Sequence, residues 1–118
     1  VAKFEFNEQI FLWIFSQIEF NFEWDTGNEQ KSFIKHGITC TESESVFKNT
    51  ESILPLGKQI SPSYDSNEDR FGVFGTSCFN KYLFISFTIR NSKIRIISAR
   101  ELNNKEREKY EQICKESR

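Results

Sequence analysis

The 118-residue chain holds a single histidine, two prolines, three cysteines and no methionine. One histidine excludes a two-imidazole acid–base pair. The cysteines, Cys40, Cys78 and Cys114, are odd in number, far apart and form no C-x-x-C pair. They leave neither a zinc-ligand pattern nor a secreted disulfide framework, so a reducing, cytoplasmic setting is expected. The longest uninterrupted apolar run, Ile10 to Phe15, falls well short of the roughly 20 residues that span a bilayer. It also lacks the small-residue cleavage site of a secretory signal. Asp65, Glu68 and Asp69 fall in a loop without strand or helix spacing to focus them on Mg2+, and no metal or other cofactor is expected. There is no internal repeat and no low-complexity tract.

What the chain does have is aromatic bulk: 13 Phe within 37% hydrophobic residues, beside 28% charged ones. That composition is globular, and the length suits one domain that buries roughly two thirds of the surface its unfolded chain exposes. The net charge of −1 conceals a division before Arg70. Residues 1 to 69 carry 5 Lys+Arg against 12 Asp+Glu, a net of −7, whereas residues 70 to 118 carry 11 against 5, a net of +6. A nearly neutral protein can in this way present one basic face to an anionic ligand.

Periodicity predicts an α+β fold: a small antiparallel sheet with two helices in the N-terminal half and one at the C-terminus. Residues 1 to 19 are apolar and ambiguous, with Phe4-Glu5-Phe6 alternating like a strand and Ile10 to Ile18 able to form a helical stripe. Phe20-Asn21-Phe22-Glu23-Trp24 reads as a half-buried strand. Thr26 with Glu29 predicts a capping box opening a helix that ends at Lys35-His36-Gly37. Thr41 with Glu44 predicts a second helix, burying Val46 and Phe47. From Asn49 to Asp69 the pattern is poor, and Pro55 leaves at most an edge strand near Ser52 to Ile60. Strands then follow at Arg70 to Ser77, Tyr82 to Ile89 and Lys93 to Ser98, the last two closing a hairpin through Asn91-Ser92. Asn103 with Glu106 caps a final charged helix to about Lys115.

The segment from Thr88 to Arg100 carries Arg90, Arg95 and Arg100 along two apolar strands and their turn. Guanidinium groups fixed on a sheet suit bidentate contact with phosphate. Arg70 opens another strand, and it and Arg95 lead the phosphate-binding candidates; the plainer reading is a cross-strand pair with a carboxylate. Simple alternation puts Arg100 on the face opposite Arg95 unless the strand has ended or bulged; if Ala99 turns the chain the two converge, and otherwise Arg100 anchors the final helix. Arg90, at the turn, is the most open to simple solvation.

Phe22-Glu23-Trp24-Asp25, Lys35-His36-Gly37-Ile38, Glu68-Asp69-Arg70-Phe71 with Gly75, Thr88-Ile89-Arg90, Ile94 to Arg100, and Glu106-Arg107 with Tyr110-Glu111 occur in the order and spacing of one family. In these blocks the chain resembles the BrnT toxins of bacterial type II toxin–antitoxin systems, over about residues 20 to 112. The resemblance implies a RelE-like domain over residues 20–118, preceded by an extension of residues 1–19 that the family pattern lacks. It further implies an endoribonuclease that arrests translation, and the unfocused carboxylates noted above add the expectation that it cuts RNA without a metal. Its partner would be a BrnA-like antitoxin, whose ribbon-helix-helix domain binds operator DNA, in a heterotetramer. The family usually has proline and lysine where this chain has Thr26 and Asn28, and commonly asparagine at Ser32. Lys31 or Lys35 would then have to replace the missing lysine, and a catalytically weak or inactive binding module acting through its antitoxin is the alternative.

RNA cleavage by internal transfer needs an aligned, deprotonated 2′-hydroxyl, neutralised charge on the phosphorane and a protonated leaving oxygen. Arg70, Arg95 and Arg100 are the candidates for charge. His36, whose type titrates near neutrality, is the candidate for proton transfer, with helix capping as its structural alternative. Lys35, Arg90 and Tyr110 are the RNA-contact candidates, Tyr110 either stacking on a base or filling the docking stripe of the last helix.

Overall fold

A computed structural model describes residues 3–60 and 68–116. Asp65 and residues 63–67 of the polar stretch before Arg70 lie outside the described residues. The fold is α+β, with the elements β1 (Phe4–Glu5), α1 (Glu8–Ser16), α2 (Lys31–His36), α3 (Cys40–Lys48), a 3-10 turn (Thr50–Ser52), β2 (Leu54–Gln59), β3 (Phe71–Thr76), β4 (Tyr82–Arg90), β5 (Lys93–Glu101) and α4 (Asn104–Glu116). The five strands form one antiparallel sheet in the order β1-β2-β3-β4-β5.

The alternation in β4 divides the core. Leu83, Ile85 and Phe87 join Val73, Ile94, Ile96 and Ala99 on one face, against Ile10 and Ile14 of α1 and Val46 and Phe47 of α3. On the other face Phe84 and Phe74 meet Leu102 and Tyr110, where α4 covers part of the sheet. Phe47 is the hub of the first cluster, with its ring 5.3 Å from Phe87, 5.6 Å from Phe20 and 5.7 Å from Phe22. Such tilted and edge-to-face pairs suit the aromatic quadrupole.

Several local signals act one step from where the spacing predicts them. The ambiguous N-terminal segment forms both a strand and a helix: Asn7 caps α1, its Oδ1 accepting from the Ile10 N–H at 2.9 Å, and Ile10 and Ile14, four residues apart, are buried. The N-terminal half therefore holds three helices where two are expected. Thr26 and Glu29 form no capping box. Asp25 accepts from the Gly27 N–H, Asn28 Oδ1 accepts from the Asp25 N–H, and the resulting turns delay α2 to Lys31. Its end is as expected, with Gly37 at φ 72° donating back to Phe33. α3 is capped by Thr39 rather than Thr41; this places Ile38 in the core at 2% exposure. The acidic residue three positions on, Glu42, turns inward to accept from Ser77 Oγ at 2.8 Å. The capping box of α4 forms as predicted, Asn103 and Glu106 exchanging bonds of 2.9 and 3.0 Å.

β2 is not an edge strand, because β1 pairs outside it. The register shifts between Pro55 and Gly57, and Gly57, at φ 108°, brings β2 so near β1 that a Cβ there would lie 1.8 Å from the Glu5 carbonyl oxygen. Only glycine tolerates that approach. The edges are the two-residue β1 and, on the far side of the sheet, β5. Phe20 to Trp24 runs beside it as one parallel bridge, Phe22 opposite Ile94, rather than as a full strand. β5 extends three residues past its predicted end and bulges: Ser98 pairs with Ser86 and Ile96 with Phe87, leaving Ile97 as the extra residue.

Candidate RNA-facing groove

The free edge of β5 is closed by the segment before α2. Ile94 exchanges backbone bonds with Asn21 and Glu23. Asn28 Nδ2 donates to the Glu23 and Ile96 carbonyls at 3.1 and 3.0 Å, and the Ala99 N–H donates to Ser32 Oγ at 2.8 Å. Asn28 and Ser32 are both buried. Two of the three positions that depart from the pattern of the toxins the chain resembles are thus a matched set of side chains that satisfies an exposed strand edge.

Holding this segment against β5 forms a groove of about 230 Å³ lined by Gly27, Asn28, Lys31, Glu68, Arg70, Thr88, Arg90, Arg95 and Ile97. It contains four cationic side chains from three parts of the chain. Arg90 and Arg95 flank the Asn91-Ser92 turn, whose two residues take positive φ of 51° and 64° as a tight hairpin requires. Arg70 enters beside the start of β3, and Lys31 comes from the first turn of α2.

Two arginines are held by carboxylates. Arg95 is bonded bidentately by Asp25 at 2.8 and 2.9 Å, with 14% of the arginine side chain and 51% of the aspartate exposed. Arg90 is held in the same fork by Glu68 at 2.6 and 2.5 Å. The Arg95 hydrogen bond, with help from the Gly27 N–H, lowers the pKa of Asp25. The Arg90 hydrogen bond does the same to Glu68, and Glu68 in return raises that of Arg90. Bidentate carboxylates have the planar shape of two phosphate oxygens, so the guanidinium groups already stand in the orientation phosphate takes.

The other candidates lie elsewhere. Arg100 shares the face of Arg95, yet it is paired with Glu106 at 2.8 and 3.0 Å and lies 4.8 Å above the Phe84 ring, where it anchors the start of α4. Tyr110 cannot stack on a base: it is 2% exposed, and its hydroxyl donates to the Ser52 carbonyl at 2.6 Å and lies 3.0 Å from Thr76 Oγ1. Burial raises its pKa. Lys35 and His36 are exposed at the far end of α2, in the last turn before Gly37, and neither lines the groove. Of the two lysines weighed as replacements for the missing one, Lys31 lines the groove and Lys35 does not. Glu68, which lines the groove, and Asp25, which holds Arg95 from outside its lining, are unpredicted partners, because each pairs across a fold contact that local spacing does not mark.

A family model described as the ribonuclease toxin BrnT of type II toxin–antitoxin systems matches residues 24–106. The chain belongs to the BrnT family. No curated protein matches the chain. The BrnT match takes in every residue lining the groove and the Arg100–Glu106 pair, and leaves out β1, α1 and Tyr110. Among the described residues no helix is long and apolar enough to cross a membrane, and no three His, Cys, Asp or Glu side chains gather as a metal site.

Proposed function

We propose that this BrnT-family chain is an endoribonuclease that cuts RNA by metal-independent attack of the 2′-hydroxyl. The observation that carries this reading is the convergence of Arg70, Arg90, Arg95 and Lys31 on one groove. A phosphodiester entering the groove exchanges with the Asp25 and Glu68 carboxylates, and the guanidinium groups neutralise charge as the phosphorane forms. Glu68, the one carboxylate lining the groove among the described residues, becomes a stronger base once Arg90 turns to phosphate, and takes the 2′-hydroxyl proton. The 2′-oxygen bonds to phosphorus, the bond to the 5′-oxygen breaks, and the Lys31 ammonium protonates that oxygen as it leaves. A 2′,3′-cyclic phosphate and a 5′-hydroxyl result. His36 in this reading serves the helix end, in the last turn before Gly37.

The cellular reading is arrest of translation in the cytoplasm by a RelE-like toxin, relieved by a BrnA-like ribbon-helix-helix antitoxin in a heterotetramer that reaches operator DNA through the antitoxin. Purified protein incubated with RNA, with and without EDTA, should cut equally well and leave cyclic phosphate ends. Arg70→Ala, Arg95→Ala protein should not cut. Intact RNA in both conditions, with translating ribosomes included, refutes the proposal. One observation favours the alternative of an inactive module acting through its antitoxin: both Arg90 and Arg95 are already neutralised by carboxylates. Unimpaired growth during unopposed expression of folded protein would decide for it.

A further inference from the structure

A second cavity, of about 320 Å³, adjoins the arginine groove and shares Glu68 and Thr88 with it as walls. That volume lies at the small end of ligand pockets, roughly 300–1,000 Å³. Its lining is of a different kind. Ile10, Trp13, Phe71 and Ile89 supply apolar surface, and Asn7, Gln9 and Asp69 supply a polar rim. Trp13 and Phe71 are each backed by a core ring, Phe20 at 5.9 Å and Phe87 at 5.8 Å, so both are held in place before anything binds. Asn7, Gln9, Ile10 and Trp13 come from α1 and its cap, outside the residues matched by the BrnT family model.

We propose that this cavity receives a nucleobase, guanine, next to the phosphate held in the arginine groove. The inference rests on the reading of that groove as a phosphate site. The rim carboxylates repel a second phosphate, and fixed aromatic carbon beside amide groups suits a flat ring with a polar edge. Guanine is favoured because its N1–H and N2–H lie side by side and can both donate to one carboxylate, a match the other three bases lack. Asp69 is the carboxylate for that contact: its side chain is 59% exposed, and its ion pair is a single 3.2 Å contact with Lys58, which constrains it weakly. The chain's own α1 would then supply the stacking wall of the base site, and Asp69, from the family-matched residues, the preference for guanine.

Titration calorimetry with the four nucleoside 3′,5′-bisphosphates and the base-free ribose 3,5-bisphosphate tests this. The guanosine compound should bind at least about tenfold tighter than the base-free one, a difference of about 1.4 kcal/mol, and tighter than the other three. Asp69→Asn, at an exposed site that does not threaten folding, should remove the guanine preference while the base-free compound still binds. Trp13→Leu should weaken all four nucleotides toward the base-free value. If the base-free compound binds and no base adds affinity, the cavity proposal fails and the groove stands. A preference for another base, or a guanine preference that survives Asp69→Asn, overturns the assignment. If the base-free compound itself does not bind, the phosphate reading of the groove is what fails.

Discussion

Arg95 and Arg100 lie five positions apart on β5 and still share one face of the sheet. Arg95 stands opposite Thr88 and Arg100 opposite Phe84, two β4 residues of like parity, because Ile97 is an extra residue between them. The bulge brings the two guanidinium groups to one face without joining them in one site, since α4 covers the Arg100 end and leaves the Arg95 end open. Arg95→Ala should lower the RNA cleavage rate by about 10²–10³-fold, with a stability loss of up to about 1 kcal/mol from its pair with the half-exposed Asp25. Arg100→Ala should do the reverse, lowering stability by about 1–2 kcal/mol through loss of its charged pair with Glu106. Paired cleavage assays and urea unfolding separate the two. Equal loss of cleavage in both variants would refute the division of labour.

Strand alternation made β4 and its two faces legible, and the Asn103–Glu106 spacing gave the start of α4. The β5 bulge was not legible, since Ile96-Ile97-Ser98 reads equally well as unbroken alternation. Nor were the partners of the arginines. Asp25 and Arg95 are 70 positions apart and Glu68 and Arg90 are 22 apart, and only the folded sheet brings them together. Asn28 and Ser32 read as absences against the family pattern, whereas their function is to satisfy the backbone of a strand that local sequence could not identify as an edge.

Asn28→Asp keeps the shape and the bond from the Asp25 N–H but removes both N–H donors that meet the Glu23 and Ile96 carbonyls. A buried acceptor, the Ile96 carbonyl, and a partly buried one, the Glu23 carbonyl, lose their partner and face a carboxylate instead. The expected cost is about 2–4 kcal/mol, read as a lower urea midpoint with an unchanged m-value. A neutral outcome would show that water replaces the amide and that the edge does not depend on this side chain.

Tyr110→Phe removes a hydroxyl bonded to Ser52 and Thr76 while keeping the ring that packs on Phe74 and Tyr82. It should cost about 1–2 kcal/mol of stability and leave RNA cleavage untouched. A selective loss of cleavage at full stability would return Tyr110 to the site.

Asp25, Glu68 and Glu106 all have pKa values held below their ordinary ones, each chiefly by an arginine hydrogen bond. A carboxylate with a lowered folded-state pKa contributes stability above its unfolded pKa, near 4, and loses that contribution as pH falls through the folded value. Stability should therefore be flat from pH 7 to about 5 and fall below about 4. The decline should be shallower in Arg100→Ala, which removes the largest of the interactions that lower the Glu106 pKa. Unfolding midpoints measured from pH 7 to 3 test this, and an unchanged slope in the variant would mean that the pair carries no pH-dependent stability.

Inorganic phosphate should compete with the carboxylates for Arg90 and Arg95 and stabilise the folded chain. A ligand that binds only the native state adds RT ln(1 + [L]/Kd), about 2.7 kcal/mol at one hundred times Kd. The thermal midpoint should rise with phosphate concentration in the unaltered protein and in Tyr110→Phe, and rise less in Arg95→Ala. Sodium chloride at matched ionic strength is the control, because general screening weakens exposed pairs and produces no specific rise. An equal response to both salts would show that the groove, though cationic, lacks the geometry to hold a phosphate.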